Sequence, residues 1–102
     1  MHEAVDAVTS RIGLSIMREL STHGPRTASE LMEASGISRR QTLLRTLTGL
    51  ESAGVVIADI PRDERRGRQA VYRLDANQVR WYFEQLQRFA LGDDVEPGKA
   101  KS

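Results

Sequence analysis

Apolar residues recur every three or four positions from residue 3 to about residue 21, which predicts amphipathic helix. Gly13 interrupts this stretch and is a candidate break between two helices. Gly24 and Pro25 predict the end of the helical region, because glycine fits a helix C-cap and proline cannot continue a helix.

Two shorter helices with a tight turn between them are predicted next. Thr27 and Glu30 have the spacing of a capping box, which begins a helix. Residues 35–38 (Ser-Gly-Ile-Ser) predict a turn, and we expect Ser38 to cap a recognition helix over residues 38–52. The inward positions of that helix are Leu43, Leu47 and Leu50. Two helices joined by a short glycine-containing turn form a helix-turn-helix unit.

Beyond Gly54 the hydrophobic period changes from helical spacing to alternation. Residues 55–60 are rich in β-branched side chains and residues 70–74 alternate, and the two segments predict two strands. The charged segment 61–68 contains a glycine and predicts the tip of a long hairpin. A hairpin over residues 55–74, directly after a helix-turn-helix unit, has the position of a wing.

A last helix is predicted from a cap at residues 75–77 to about Leu91. The polar residues 92–102 are typical of a disordered tail. The predicted fold class is therefore mainly α with a small β-hairpin, in the order helix, helix-turn-helix, wing, helix. One domain over residues 1–91 accounts for all of these elements.

The composition narrows the function classes. The chain has no cysteine, and His2 and His23 are far apart, so we expect neither a metal nor another cofactor. No apolar run approaches the roughly 20 residues that span a bilayer, and the N-terminus lacks the pattern of a secretory signal. No serine has a histidine and a carboxylate at a spacing that would support a catalytic triad. The sequence also has no glycine-rich phosphate-binding loop. The expectation is a cytoplasmic protein that is not an enzyme.

Positive charge is concentrated in the middle of the chain, although the whole carries only +1. Residues 37–73 hold eight arginines against four acidic residues, whereas residues 1–36 and 74–102 are both net acidic. A localised basic field favours a polyanionic partner.

The predicted recognition helix has a polar face suited to base recognition. Steps of 100° per residue put positions 40, 41, 44, 45 and 48 opposite the leucines. Arginine can bond guanine O6 and N7, and glutamine can bond adenine N6 and N7, while Thr42 and Leu44 can contact thymine methyls. A solvated polar face is the alternative, but residues 37–50 contain no lysine and no acidic residue.

Several motifs occur in a fixed order along the chain. They are Ile-Met-Arg-Glu-Leu at 16–20, Thr-Ala-Ser-Glu-Leu at 27–31, Ile-Ser at 37–38, Leu-x-x-Leu-x-x-x-Gly-Val-Val at 47–56, Gly-Arg at 67–68 and Tyr-Arg-Leu at 72–74. Over residues 11–74 this arrangement resembles the winged helix-turn-helix transcriptional regulators of the ArsR type, with the MarR and PadR types as neighbours. The resemblance implies a dimeric repressor that binds double-stranded DNA.

The resemblance also implies roles for individual residues. The residues that it places against the major groove are Arg40, Gln41, Thr42, Leu44, Arg45 and Thr46. The residues that it places at the wing tip, against the DNA backbone or the minor groove, are Arg65, Arg66 and Arg68. We add Ser38 and Arg39 at the start of the helix and Arg62 in the wing as candidate DNA contacts. The alternative for the wing arginines is a salt-bridged hairpin tip. Metal-sensing members have a cysteine pair or histidine and aspartate clusters, so the resemblance does not extend to metal sensing.

The last helix carries four of the five aromatic residues. They either enlarge the core or form a dimer interface with the first helix, and the resemblance implies the second. The predicted interface consists of Val5, Val8, Ile12, Val79, Trp81, Tyr82, Leu86 and Phe89. An effector pocket would lie between the terminal helices, but no effector is indicated.

Two other functions fit the same fold. A winged-helix domain can be a protein-protein interaction module, or an architectural factor of phage or plasmid replication and recombination. The arginine-rich centre favours DNA over a protein partner, and it does not distinguish a regulator from an architectural factor.

Overall fold

The computed structural model describes residues 2–92, except for the side chains of residues 2, 3 and 62. The helices in this part of the chain are α1 (His2–Thr9), α2 (Arg11–His23), α3 (Ala28–Ser35), α4 (Arg40–Ser52) and α5 (Ala76–Ala90), and the strands are β1 (Arg26–Thr27), β2 (Val56–Ala58) and β3 (Val71–Leu74). A short 3₁₀ helix, Arg62–Glu64, lies between β2 and β3. The predicted order of elements is confirmed. Most of the predicted tail, residues 93–102, lies outside the described residues.

The break between α1 and α2 lies at Ser10 and not at Gly13. The Ser10 Oγ accepts a hydrogen bond from the Gly13 N–H and donates one to the Ala7 carbonyl oxygen, each 2.9 Å long. Gly13 is buried in the first turn of α2, where a β-carbon would stand 1.8 Å from the Ala7 carbonyl oxygen. The glycine is required because α1 and α2 come this close together.

The capping box at the start of α3 is confirmed. The Thr27 Oγ1 accepts from the Glu30 N–H at 3.2 Å, and the Thr27 N–H donates to Glu30 Oε1 at 2.8 Å. The bond from the Thr27 backbone lowers the pKa of the Glu30 carboxyl, since it favours the charged form. Gly36, with φ 67°, ends α3 in the left-handed conformation.

The hydrophobic core lies between α1, α2, α3, α4 and the sheet. Its fully buried large side chains are Val8, Ile16, Leu31, Leu43, Leu47, Leu50, Val55 and Val56. The leucines predicted to face inward from α4 are among them, which explains why the opposite side of this helix is exposed.

The sheet contains a strand that the sequence analysis did not predict. Its order is β1-β3-β2, with both pairs antiparallel, and Arg26 lies opposite Tyr72. The wing is thereby attached to the residues that begin α3. The two predicted wing strands are shorter than expected, because beyond Ala58 the Asp59 side chain accepts the hydrogen bond of the Val71 N–H at 2.8 Å.

Helix α5 starts at the predicted cap. The Asp75 side chain accepts from the Gln78 N–H at 3.1 Å, and Gln78 Nε2 donates to the Ala53 carbonyl oxygen at 3.0 Å. The second bond connects α5 to the end of α4. Trp81 and Phe89 of α5 remain 40% and 55% exposed. None of the described helices has the length and apolar character to cross a membrane.

Candidate DNA-binding surface

The exposed side of α4 carries the side chains that the sequence analysis assigned to base recognition. Arg40, Gln41 and Arg45 are exposed, and Leu44 is 37% exposed. We call the side formed by these four residues the recognition face. It combines three side chains with hydrogen-bond donors and one apolar side chain, and no carboxylate lies among them.

The start of α4 differs from the prediction. The N-cap residue is Arg39, in an extended conformation with φ −109° and ψ 114°, and its side chain makes no capping bond. Ser38 is exposed and does not cap the helix, which begins at Arg40 and not at residue 38. The extended Arg39 moves Ser38 one position away from where its hydroxyl would reach the first turn.

The threonines of α4 lie at the edges of the recognition face. Thr42 and Thr46 are half-buried, and the Thr46 Oγ1 donates to the Thr42 carbonyl oxygen at 2.9 Å. The Thr48 Oγ1 donates likewise to the Leu44 carbonyl oxygen. Hydroxyls that already donate to their own helix have only acceptor capacity left for a ligand.

Arg65 belongs to the salt-bridged alternative considered for the wing. Its Nη2 and Nη1 donate to the two carboxylate oxygens of Glu51 at 2.7 and 3.2 Å, and its Nε donates to the Ile60 carbonyl oxygen at 2.8 Å. The guanidinium also lies 5.7 Å from the centre of the Tyr72 ring. The hydrogen bonds to Glu51 raise the pKa of Arg65 above its ordinary value. Arg65 thus fastens the wing to the last turn of α4.

The sequence analysis missed Glu51 as the partner of Arg65. The two residues are far apart in the chain, in a helix and in a loop, and no local pattern relates them. The only signal was the mixture of acidic residues with the central arginines.

The wing arginines that remain available are Arg66 and Arg68. Both are exposed, in a turn closed by the Arg68 N–H donating to the Arg65 carbonyl oxygen at 2.8 Å. Gly67 has φ 71° in this turn, a conformation that glycine adopts without strain. The side chain of Arg62 lies outside the described part of the structure.

A groove of about 330 Å³ runs between α4 and the wing. Its walls include Arg40, Leu44, Thr48, Glu51, Arg68 and Tyr72. We call it the wing groove. The recognition face and the wing therefore form one continuous surface, whose geometry depends on the ion pair between Glu51 and Arg65.

Replacing Glu51 by glutamine should destabilise the wing. The side chains of Arg65 and Glu51 are only 19% and 16% exposed, so losing the charge leaves a poorly solvated guanidinium with weaker partners. We expect the free energy of unfolding to fall by about 1–3 kcal/mol. Urea denaturation measures this loss, and hydrogen exchange of the Val71 amide reports whether the wing opens locally. Glu84→Gln, on the exposed side of α5, is the control, and an equal effect of both variants would contradict this role of Glu51.

The residues predicted for a dimer interface differ in exposure. Val8 and Tyr82 are buried inside the single chain. Val5, Ile12, Val79 and Leu86 are half-buried against the core, and Trp81 and Phe89 are the most exposed. Trp81 and Phe89 therefore provide most of the apolar surface of this set that a second chain could cover.

Among the side chains that the structure describes, no group of three or more histidines, aspartates or glutamates is arranged to hold a metal ion. His23 Nδ1 and Glu19 Oε1, one turn apart on the same face of α2, lie 2.9 Å from each other.

The fold is similar to those of several solved regulators. A possible transcriptional regulatory protein from Mycobacterium bovis, a fragment of residues 1–100, is 25% identical with a TM-score of 0.60, over 87% of this chain and 88% of that one. A possible transcriptional regulator for arsenical resistance is 22% identical with a TM-score of 0.61, over 92% and 98% of the two chains. The diamide-treated form of YodB from B. subtilis is 21% identical with a TM-score of 0.60, over 95% and 94%.

No family model matches the sequence, and no curated protein matches it. The helices, the helix-turn-helix unit and the three-stranded antiparallel sheet nevertheless give the chain the fold of winged-helix regulators.

Proposed function

We propose that this chain is a transcriptional regulator of the ArsR type that binds a specific double-stranded DNA sequence and acts as a dimeric repressor. The observation that carries the proposal is the recognition face, where Arg40, Gln41 and Arg45 are exposed and neither arginine forms an ion pair with a described carboxylate. The similarity to solved proteins described as possible transcriptional regulators supports it.

In the proposed complex α4 enters the major groove. An α-helix with its side chains is about 10–12 Å across, and the major groove of B-DNA is about 12 Å wide. Arg40 and Arg45 bond guanine edges, Gln41 bonds an adenine edge, and Leu44 contacts a thymine methyl. Arg66 and Arg68 of the wing contact backbone phosphates or the adjacent minor groove.

The test is a selection of bound duplexes from a random pool with the full chain, followed by fluorescence anisotropy on the selected duplex and on a scrambled one. A regulator should prefer the selected duplex by about 10³-fold or more. The affinity should also fall steeply as salt is raised, because bound phosphates release counterions.

Two outcomes would overturn the proposal. No duplex binding tighter than about 10⁻⁴ M at physiological salt would favour an interaction module for proteins, since this is weaker than typical non-specific binding. Salt-dependent binding without preference for any sequence would favour an architectural factor.

Dimerisation through α1 and α5 is part of the proposal. Trp81 and Phe89 expose aromatic surface on a helix that also carries the half-buried Val79, Phe83 and Leu86. A two-fold dimer would present two copies of α4 to half-sites about one helical turn apart.

Trp81→Ala should weaken the dimer more than it destabilises the single chain. The indole is 40% exposed and contacts the Tyr82 ring edge to face, at 6.4 Å between ring centres, so its truncation leaves the core largely intact. Light scattering after size-exclusion chromatography at several protein concentrations measures the shift toward monomer. Leu14→Ala, which removes an exposed apolar side chain from α2, is the matched control. Wild-type protein that is monomeric at micromolar concentration, yet binds its selected duplex, would refute the dimer.

A further inference from the structure

A basic cleft, distinct from the wing groove, lies beside the start of α4 on the side away from the wing. It has a volume of about 380 Å³ and is bounded by α2, α4 and the turn that precedes α4. Its walls include Arg11, Ile12, Ser15, Ser38, Arg39 and Thr42. We call it the Arg11 cleft. No carboxylate lines it, and three of these residues contribute hydroxyl groups.

The two arginines of the Arg11 cleft come from different parts of the chain. Arg11 is the first residue of α2, and Arg39 precedes α4. Both are exposed, and neither forms an ion pair with a described carboxylate. Arg65 differs in this respect, since Glu51 neutralises it. The cleft therefore holds two positive charges with no described carboxylate in contact with either.

The Arg11 cleft and the wing groove flank the recognition face on opposite sides. Thr42 lines the cleft, whereas Leu44 and Thr48 line the wing groove. At about 100° per residue, Gln41 and Arg45 point between these two directions. A duplex that receives Gln41 and Arg45 in its major groove has one phosphate backbone along each edge of that groove. One backbone thus runs past the wing, and the other past the cleft.

We propose that the Arg11 cleft binds a backbone phosphate of the DNA strand opposite the wing. Arg11 and Arg39 supply planar, permanently charged donors, and the hydroxyls of Ser15 and Ser38 supply neutral ones. Contacts on both edges of the groove fix how deeply and at what angle α4 enters it, without reading the base sequence. This inference rests on the proposed function and adds Arg11, a residue outside the helix-turn-helix unit and the wing, to the DNA-binding surface.

The test replaces Arg11 by glutamine, which keeps a polar side chain and removes the charge. We expect affinity for the selected duplex and for random duplex to fall by a similar factor, about three- to tenfold, and the slope of log affinity against log salt to decrease by about one. Fluorescence anisotropy at several salt concentrations measures both quantities. The mass of the variant from light scattering should equal that of the wild type.

Arg18→Gln is the matched control. Arg18 is exposed on the same helix and does not line the Arg11 cleft. Its replacement removes the same charge as Arg11→Gln. If Arg11→Gln and Arg18→Gln change affinity and salt slope equally, the cleft binds no phosphate and the inference is wrong. If the wild type itself shows no salt-dependent duplex binding, the proposed function fails before the variants are compared.

A scan of the selected duplex with single neutral methylphosphonates locates the contact. At one position on the strand opposite the wing, the substitution should weaken the wild type more than it weakens Arg11→Gln, since the variant has already lost part of that contact. Equal losses for both proteins at every position would overturn the inference.

Discussion

Replacing Gly13 by alanine is expected to lower the free energy of unfolding by about 2 kcal/mol or more. The new β-carbon would stand 1.8 Å from the Ala7 carbonyl oxygen, and that oxygen belongs to backbone that cannot rotate away. Relief requires α1 to move from α2, which breaks the bond between Ser10 Oγ and the Ala7 oxygen and loosens the packing of α1 on α4. This loss exceeds the roughly 1 kcal/mol that alanine gains over glycine inside a helix.

Urea denaturation followed by circular dichroism measures this effect. Ser21→Ala, at an exposed position of the same helix, is the control and should change stability by about 0.5 kcal/mol or less. Gly13→Val should lower the free energy of unfolding more than Gly13→Ala. The larger side chain forces α1 farther from α2, and α1 packs on α4. An alanine variant as stable as the wild type would mean that α1 and α2 do not approach each other as described.

Replacing Arg45 by alanine is expected to reduce binding to the best DNA site by about 1–3 kcal/mol and to relax sequence preference at one base pair. Arg45 is exposed on the recognition face and forms no ion pair with a described residue, so it is available for a bidentate bond to guanine. Arg40→Ala should have a similar effect at a different base pair. Selection of duplexes with each variant, followed by anisotropy on the selected and random duplexes, measures affinity and preference separately.

Arg45→Lys separates base recognition from charge. Lysine keeps the positive charge but lacks the planar fork of the guanidinium, so this variant should bind random DNA normally and lose preference for its base pair. If Arg45→Ala and Arg40→Ala both leave affinity and preference unchanged, α4 is not the element that reads the sequence.

The features predicted best from the sequence depend on residues three or four positions apart. The capping box of Thr27 and Glu30, the cap at Asp75 and the glycine that ends α2 all follow from residue type and spacing. The exposed side of α4 was predicted for the same reason, since the leucines that are buried determine which residues face outward.

The features that were missed depend on contacts between distant segments. The two residues of β1 have no period of their own and pair with β3 only because the fold brings them together. The role of Gly13 follows from its contact with Ala7, and that of Arg65 from its ion pair with Glu51. The cap assigned to Ser38 was wrong because the turn extends through Arg39, a backbone choice that the residue types at 38 and 39 did not indicate.

The hydrogen bonds of Arg65 also reduce the conformational entropy that the wing loop can lose when DNA binds. Residues 59–70 separate β2 from β3, yet Asp59 pairs with Val71 at one end, and Arg65 is bound to Glu51 and Ile60 in the middle. The loop is thus held at its base and in its middle before DNA binds, so ordering the apex, residues 66–69, costs less conformational entropy than ordering the whole loop would. Insertions at the apex should lengthen the reach of the wing without disturbing the strand register, whereas insertions between residues 59 and 65 should detach it from α4.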